Sequence, residues 1–172
     1  VTPDAIEAEI RRAFASVERP GNWALRGSDE GEEPFRVEAA FADKDDWRSL
    51  GAAFLDAAPD GLASALSFLS DEAFRYFLPA YLIADLRGGL DRVDPVFHLC
   101  HPFTDARRQQ PINPRRYGAR TWFDFASHRM SAFTPDEARA IAAYLRWRED
   151  KDDLDRQAIG QAVRSYWNTR TR

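Results

Sequence analysis

Several things are scarce in this chain, and each scarcity narrows what it can be. One cysteine among 172 residues cannot close an internal disulfide, so no disulfide framework is expected and a reducing cytoplasm is the expected location. The longest apolar stretch, YFLPAYLIADL, is about half of the roughly 20 residues a membrane helix needs. The opening VTPDAIEAEIRRAF mixes acids and arginines into its apolar positions, unlike a secretory leader or a basic transit segment. A soluble protein away from membranes is therefore the expectation. Lysine is nearly missing, with Lys44 and Lys151 the only two, so arginine supplies almost all the positive charge; this bias reads as genome composition rather than mechanism. No clear hairpin signal, internal repeat or heptad run occurs.

What is present suits one core. With 44% hydrophobic and 13% aromatic residues, there is enough apolar material for a single domain spanning 1–172. The net charge of −4 disfavours wholesale attraction to nucleic acid or to anionic membranes. The charge is nonetheless uneven. Residues 1–69 hold fourteen acids against seven bases, whereas 104–133 hold six arginines against two acids.

Helix signals recur along the chain. Thr2 can cap a helix with Pro3 at its first position, and Ile6, Ile10, Phe14 and Val17 follow at three- and four-residue steps. Residues 20–33 read as an irregular linker. Pro34 can open a second helix carrying Val37 and Phe41, although FRVEAAF alternates enough to be a strand. Trp47, Leu50, Phe54 and Leu55 predict one short helix ending near Pro59. Ser70, with Asp71 and Glu72 after it, opens the most apolar helix, carrying Phe74, Phe77, Leu78, Tyr81 and Leu82 on one broad face and stopped by Gly88 and Gly89. Pro79 lies inside it and is expected to kink it, or to split it near Phe77 and Leu78. Thr134, Pro135 and Glu137 form a capping box ahead of a stripe of Ala138, Ile141, Ala142 and Leu145. A last helix offers Leu154, Ala158, Ala162, Tyr166 and Trp167. The expected fold is all-α: a single-domain irregular bundle of about six or seven helices, with a kinked central helix and a long arginine-rich loop at 104–120.

The succession IEAEIRRAF, DDWRSL, LSDEAFRYFLPAYL and FTPDEARAIAAYLRW resembles a family of small bacterial proteins catalogued only as a domain of unknown function. The resemblance covers most of the chain. It implies a small helical domain and carries over no catalytic residues.

Two stretches are candidates for chemistry. In PVFHLCHPF, His98, Cys100 and His101 crowd together, and His128 could complete a tetrahedral zinc set. The His-x-Cys-His spacing is not a standard zinc arrangement, so no metal and no cofactor is expected, and a buried cysteine beside surface or capping histidines is the favoured reading. A Cys100 nucleophile lacks an identifiable orienting group. In DARRQQPINPRRYGAR, Arg107, Arg108, Arg115, Arg116 and Arg120 surround Tyr117, the composition of a phosphate- or RNA-binding loop in which guanidinium forks grip anions and the aromatic can stack on a base. The alternative is a solvated connector. Arg75 lies in an aromatic face, where its stem can pack on Tyr76. A non-enzymatic protein-binding module, regulatory or of toxin-immunity type, is favoured, with another protein as partner and no membrane. The competing reading is a phosphate- or nucleic-acid-binding protein, or an enzyme, using Arg107–Arg120. Oligomeric state is not legible.

Overall fold

The computed structural model describes residues 1–57 and 64–172. Helix accounts for 64% and no strand forms among the described residues, so the all-α class holds. The chain divides into two compact units: Pro3–Pro95, and Val96–Arg172 together with Val1–Thr2.

In the Pro3–Pro95 unit, the helix Pro3–Ala13 buries Ile6 and Ile10, and Phe14 follows them into the core. Residues 34–41 are helical, within Glu33–Phe41, which buries Pro34, Val37 and Phe41. The 20–33 linker is partly ordered: Asn22–Ala24 forms a 3-10 turn, and the Gly27 N–H donates to the Phe68 carbonyl at 2.7 Å. The expected single helix from Trp47 to near Pro59 is instead two pieces, Trp47–Ser49 and Ala52–Asp56. The cause is local. Asp46 caps the first turn by accepting the Arg48 N–H, and Leu50 and Gly51 are then extended, so the chain restarts. The expected end near Pro59 lies outside the described residues.

The central helix runs unbroken from Asp71 to Leu86 with Pro79 inside it, so the split does not occur. Ser70 caps it: its Oγ accepts the Ala73 N–H at 3.0 Å and donates to the Ala24 carbonyl at 2.6 Å. Burial extends around most of its circumference, from Ala73 and Phe74 through Tyr81 and Leu82 to Leu86. That packing on both sides of Pro79 offsets the lost backbone hydrogen bond. Phe77 is fully buried, edge-on to Phe41 at 4.6 Å and to Tyr76 at 4.9 Å. Asp56 fastens the later chain, its Oδ1 accepting the N–H groups of Asp91, Arg92 and Val93 at 2.8–3.1 Å. Burial pushes its pKa up, but these three donors outweigh burial and hold the carboxyl below its usual range.

In the Val96–Arg172 unit, Pro135–Glu149 begins with the anticipated capping box: Thr134 Oγ1 accepts the Glu137 N–H, and the Glu137 carboxylate accepts the Thr134 N–H. Arg156–Ala162 continues into a π-helical turn, Val163–Trp167, and then Asn168–Arg170. The Trp167 indole N–H donates to the Leu99 carbonyl at 2.9 Å. Leu154, expected on the buried stripe, is 95% exposed, because the helix starts only at Arg156. The described helices outnumber the expected six or seven. Short helical turns account for the surplus, among them Asp105–Arg108 and Pro114–Tyr117 inside the presumed irregular loop.

Candidate functional site

The arginine-rich segment is an ordered lobe. Its two arms are pinned by an antiparallel bridge between Pro111 and Thr121, with the Ile112 N–H donating to the Arg120 carbonyl and the Trp122 N–H to the Gln110 carbonyl, both at 3.1 Å. At the tip, Gly118 has φ 59° and ψ −132°, a conformation that a side chain would strain. The helix Trp122–Met130 starts at the end of the lobe with a second capping box, Thr121 Oγ1 accepting the Asp124 N–H and Asp124 accepting the Thr121 N–H. Sequence reasoning missed this box because the third helical position holds aspartate, not the glutamate or glutamine of the usual signature.

Both acids of the segment are committed to holding it. Asp124 is bonded to Thr121, whose backbone N–H and then its hydroxyl hold the carboxyl below the usual range. Asp105 pairs with Gln161: its N–H donates to the Gln161 Oε1, and the Gln161 Nε2 donates back to its carboxylate, each at 3.1 Å. Among the described residues no ion pair ties down Arg107, Arg108, Arg115 or Arg120. All four are exposed, as is Arg116. Three guanidiniums lie over aromatic rings: Arg108 over Phe123 at 4.4 Å, Arg116 over Tyr117 at 5.2 Å, and Arg120 over Phe125 at 5.7 Å. Such seating orients a guanidinium while leaving its N–H edge open. The support continues inward, since Phe123 meets the buried Phe103 edge-on at 5.6 Å and Phe103 stacks on Tyr166 at 4.1 Å. Tyr117 and Phe125 remain 43% and 38% exposed, so the face offers both charge and apolar area. The sequence reading passed over Phe123 and Phe125, the rings under Arg108 and Arg120; the aromatic run after Arg120 was their signal.

The HLCH cluster is built differently. Pro95–Cys100 is a short helix, and a 3-10 turn, His101–Phe103, follows it. Cys100 is fully buried. His98 is half-buried with its imidazole held neutral: burial first, then the charges of Arg129 and His101, push its pKa down to about 3. His101 places Nε2 3.4 Å from the Asp155 carboxylate, and the Phe97 ring packs against both imidazoles. His128 is exposed on the helix Trp122–Met130. Among the described residues, no group of three or more His, Cys, Asp or Glu side chains could hold a metal ion. Cys100, enclosed on all sides, is not presented to a substrate arriving from solvent. No helix is long and apolar enough to cross a membrane, among the described residues.

No curated protein and no solved structure matches the chain. One family model matches it over residues 2–171, nearly end to end, and the family carries no assigned activity that could be transferred to the lobe. On that match, the chain belongs to the family of unknown function DUF6714.

Proposed function

We propose that this protein is a non-enzymatic binding module whose arginine and aromatic lobe, residues 105–125, docks on an acidic surface of another protein. The observation that carries the reading is the set of exposed guanidiniums seated on aromatic rings, with the only two local acids engaged in Thr121 and Gln161. Arginine with tyrosine and tryptophan is the composition of protein-interface hot spots, and carboxylates are what guanidinium forks bind bidentately. A nucleic acid would be gripped through its phosphates and by bases stacking on aromatic faces. Here the faces of Phe123, Tyr117 and Phe125 already carry guanidiniums, and the chain as a whole is acidic. Both facts favour the protein partner. A regulatory or immunity-type role fits a module that works through such a surface.

The test is affinity capture with the intact chain and with an Arg108→Glu, Arg115→Glu, Arg120→Glu triple variant, before and after nuclease treatment. The expected result is one acidic protein retained at stoichiometric yield by the parent chain, resistant to nuclease, and lost from the variant. Retention that vanishes with nuclease would instead make the lobe a nucleic-acid site. Equal capture by both chains would remove the lobe from function.

A further inference from the structure

The Pro3–Pro95 unit holds a cleft of about 220 Å³. That is smaller than the roughly 300–1,000 Å³ of sites for drug-sized ligands, so its occupant must be compact. Three guanidiniums from three separate segments, those of Arg11, Arg48 and Arg87, line it, and no described acid does. The rest of the wall is apolar, with Leu50 and Ile83 its largest aliphatic members and Trp47 forming one side.

Carboxylates outside the cleft orient these arginines without exhausting them. Glu7 accepts from Arg11 Nε at 2.8 Å and Nη2 at 2.7 Å and from Arg87 Nε at 2.9 Å and Nη2 at 2.6 Å, and Arg87 Nη1 reaches Asp4 at 2.8 Å. Arg48 donates from Nη1 to Asp46 at 3.1 Å and from Nη2 to the Ala15 carbonyl at 2.9 Å. A guanidinium carries five N–H donors, so each keeps some for a ligand. A second observation comes from Trp47. It is almost fully buried, its indole N–H has no acceptor, and the Arg48 guanidinium lies over its ring at 4.8 Å. A buried donor without a partner is rare and costly in folded proteins; the residue that carries it, Trp47, lines the cleft, while the N–H itself is closed off from solvent.

We infer that the cleft binds a small organic acid with a compact apolar body, its carboxylate held by Arg48 and Arg87 and its hydrocarbon laid against Leu50, Ile83 and Trp47. Neither half of such a ligand suffices by itself. A bare anion leaves the apolar wall wet, and a neutral hydrocarbon leaves the guanidinium edges unpaired. This site shares no residue with the arginine lobe, so the two readings stand or fall independently.

The test is an NMR titration of the intact, nitrogen-15-labelled chain with sodium benzoate, following the Trp47 indole N–H, which is assigned by its disappearance in Trp47→Phe. A saturable shift of that signal is expected. Arg48→Gln and Arg87→Gln should each weaken binding by about tenfold or more, the scale of a lost charge-assisted hydrogen bond. Benzyl alcohol, which lacks the charge, and sodium sulfate, which lacks the apolar body, should bind more weakly than benzoate by a similar factor. If Arg87→Gln unfolds the chain through its Glu7 and Asp4 contacts, Arg48→Gln decides alone, because its carboxylate partner Asp46 is exposed. A non-saturable shift, equal binding of benzoate and benzyl alcohol or of benzoate and sulfate, or indifference to Arg48→Gln would overturn the inference.

Discussion

Replacing Phe77 with alanine removes the ring at the centre of the Pro3–Pro95 unit. The side chain is fully buried and lies edge-on between Phe41 at 4.6 Å and Tyr76 at 4.9 Å. Lost burial of a phenylalanine is worth about 1.5–3 kcal/mol. Each edge-on aromatic contact adds about 0.5–1.5 kcal/mol. The helix around position 77 is packed on most of its circumference, so the cavity cannot collapse fully and the loss should fall at about 3–5 kcal/mol, the range for core aromatics. Urea unfolding of parent and variant measures it, provided the slope of the transition is unchanged. Phe35→Ala is the control, since Phe35 is 45% exposed beneath the Arg26 guanidinium; it should cost less than about 1 kcal/mol. A Phe77→Ala loss as small as that of Phe35→Ala would refute the packing described for the central helix.

Thr134→Ala should destabilise the chain by about 1 kcal/mol and Thr134→Ser by far less, read by thermal or urea unfolding; equal losses would mean that the hydroxyl cap is not the cause. Stability should fall as the pH drops from about 6.5 towards 3. The unfolded chain protonates the His98 imidazole near its ordinary pKa of about 6.5, whereas the folded chain does so only near 3, so in that window the unfolded state binds more protons. His98→Gln should flatten the slope of stability against pH there, and an unchanged slope would contradict the lowered pKa of His98.

What was legible in the sequence is what short spacings encode. The Thr134–Glu137 box, the cap at Ser70 and the stripe Ile6, Ile10 and Phe14 are each set within one or two turns, and each was read correctly. Errors arose where one residue outweighs periodicity. Gly51 restarts the chain and divides the Trp47–Leu55 segment, and Leu154 falls in register with the last helix yet precedes its first turn. Of the two outcomes expected at Pro79, the split does not occur, because the helix is packed on both sides of the proline. The arginine lobe was visible as composition, but not as geometry: the Ile112–Arg120 and Gln110–Trp122 hydrogen bonds join residues eight and twelve apart that no local pattern links. The cleft was invisible, because Arg11, Arg48 and Arg87 meet only through tertiary packing.

The central claim, that residues 105–125 are the recognition face, is tested most directly by placing a photo-cross-linking amino acid at Tyr117 in the intact chain and irradiating cells that produce it. Tyr117 is 43% exposed near the tip of the lobe, and the same cross-linker at Phe35, in the other unit, gives the background. The account predicts one discrete cross-linked protein from position 117 that persists after nuclease, is absent from position 35, and disappears with Arg115→Glu and Arg120→Glu. No product above the position 35 background, or a product destroyed by nuclease, would contradict it.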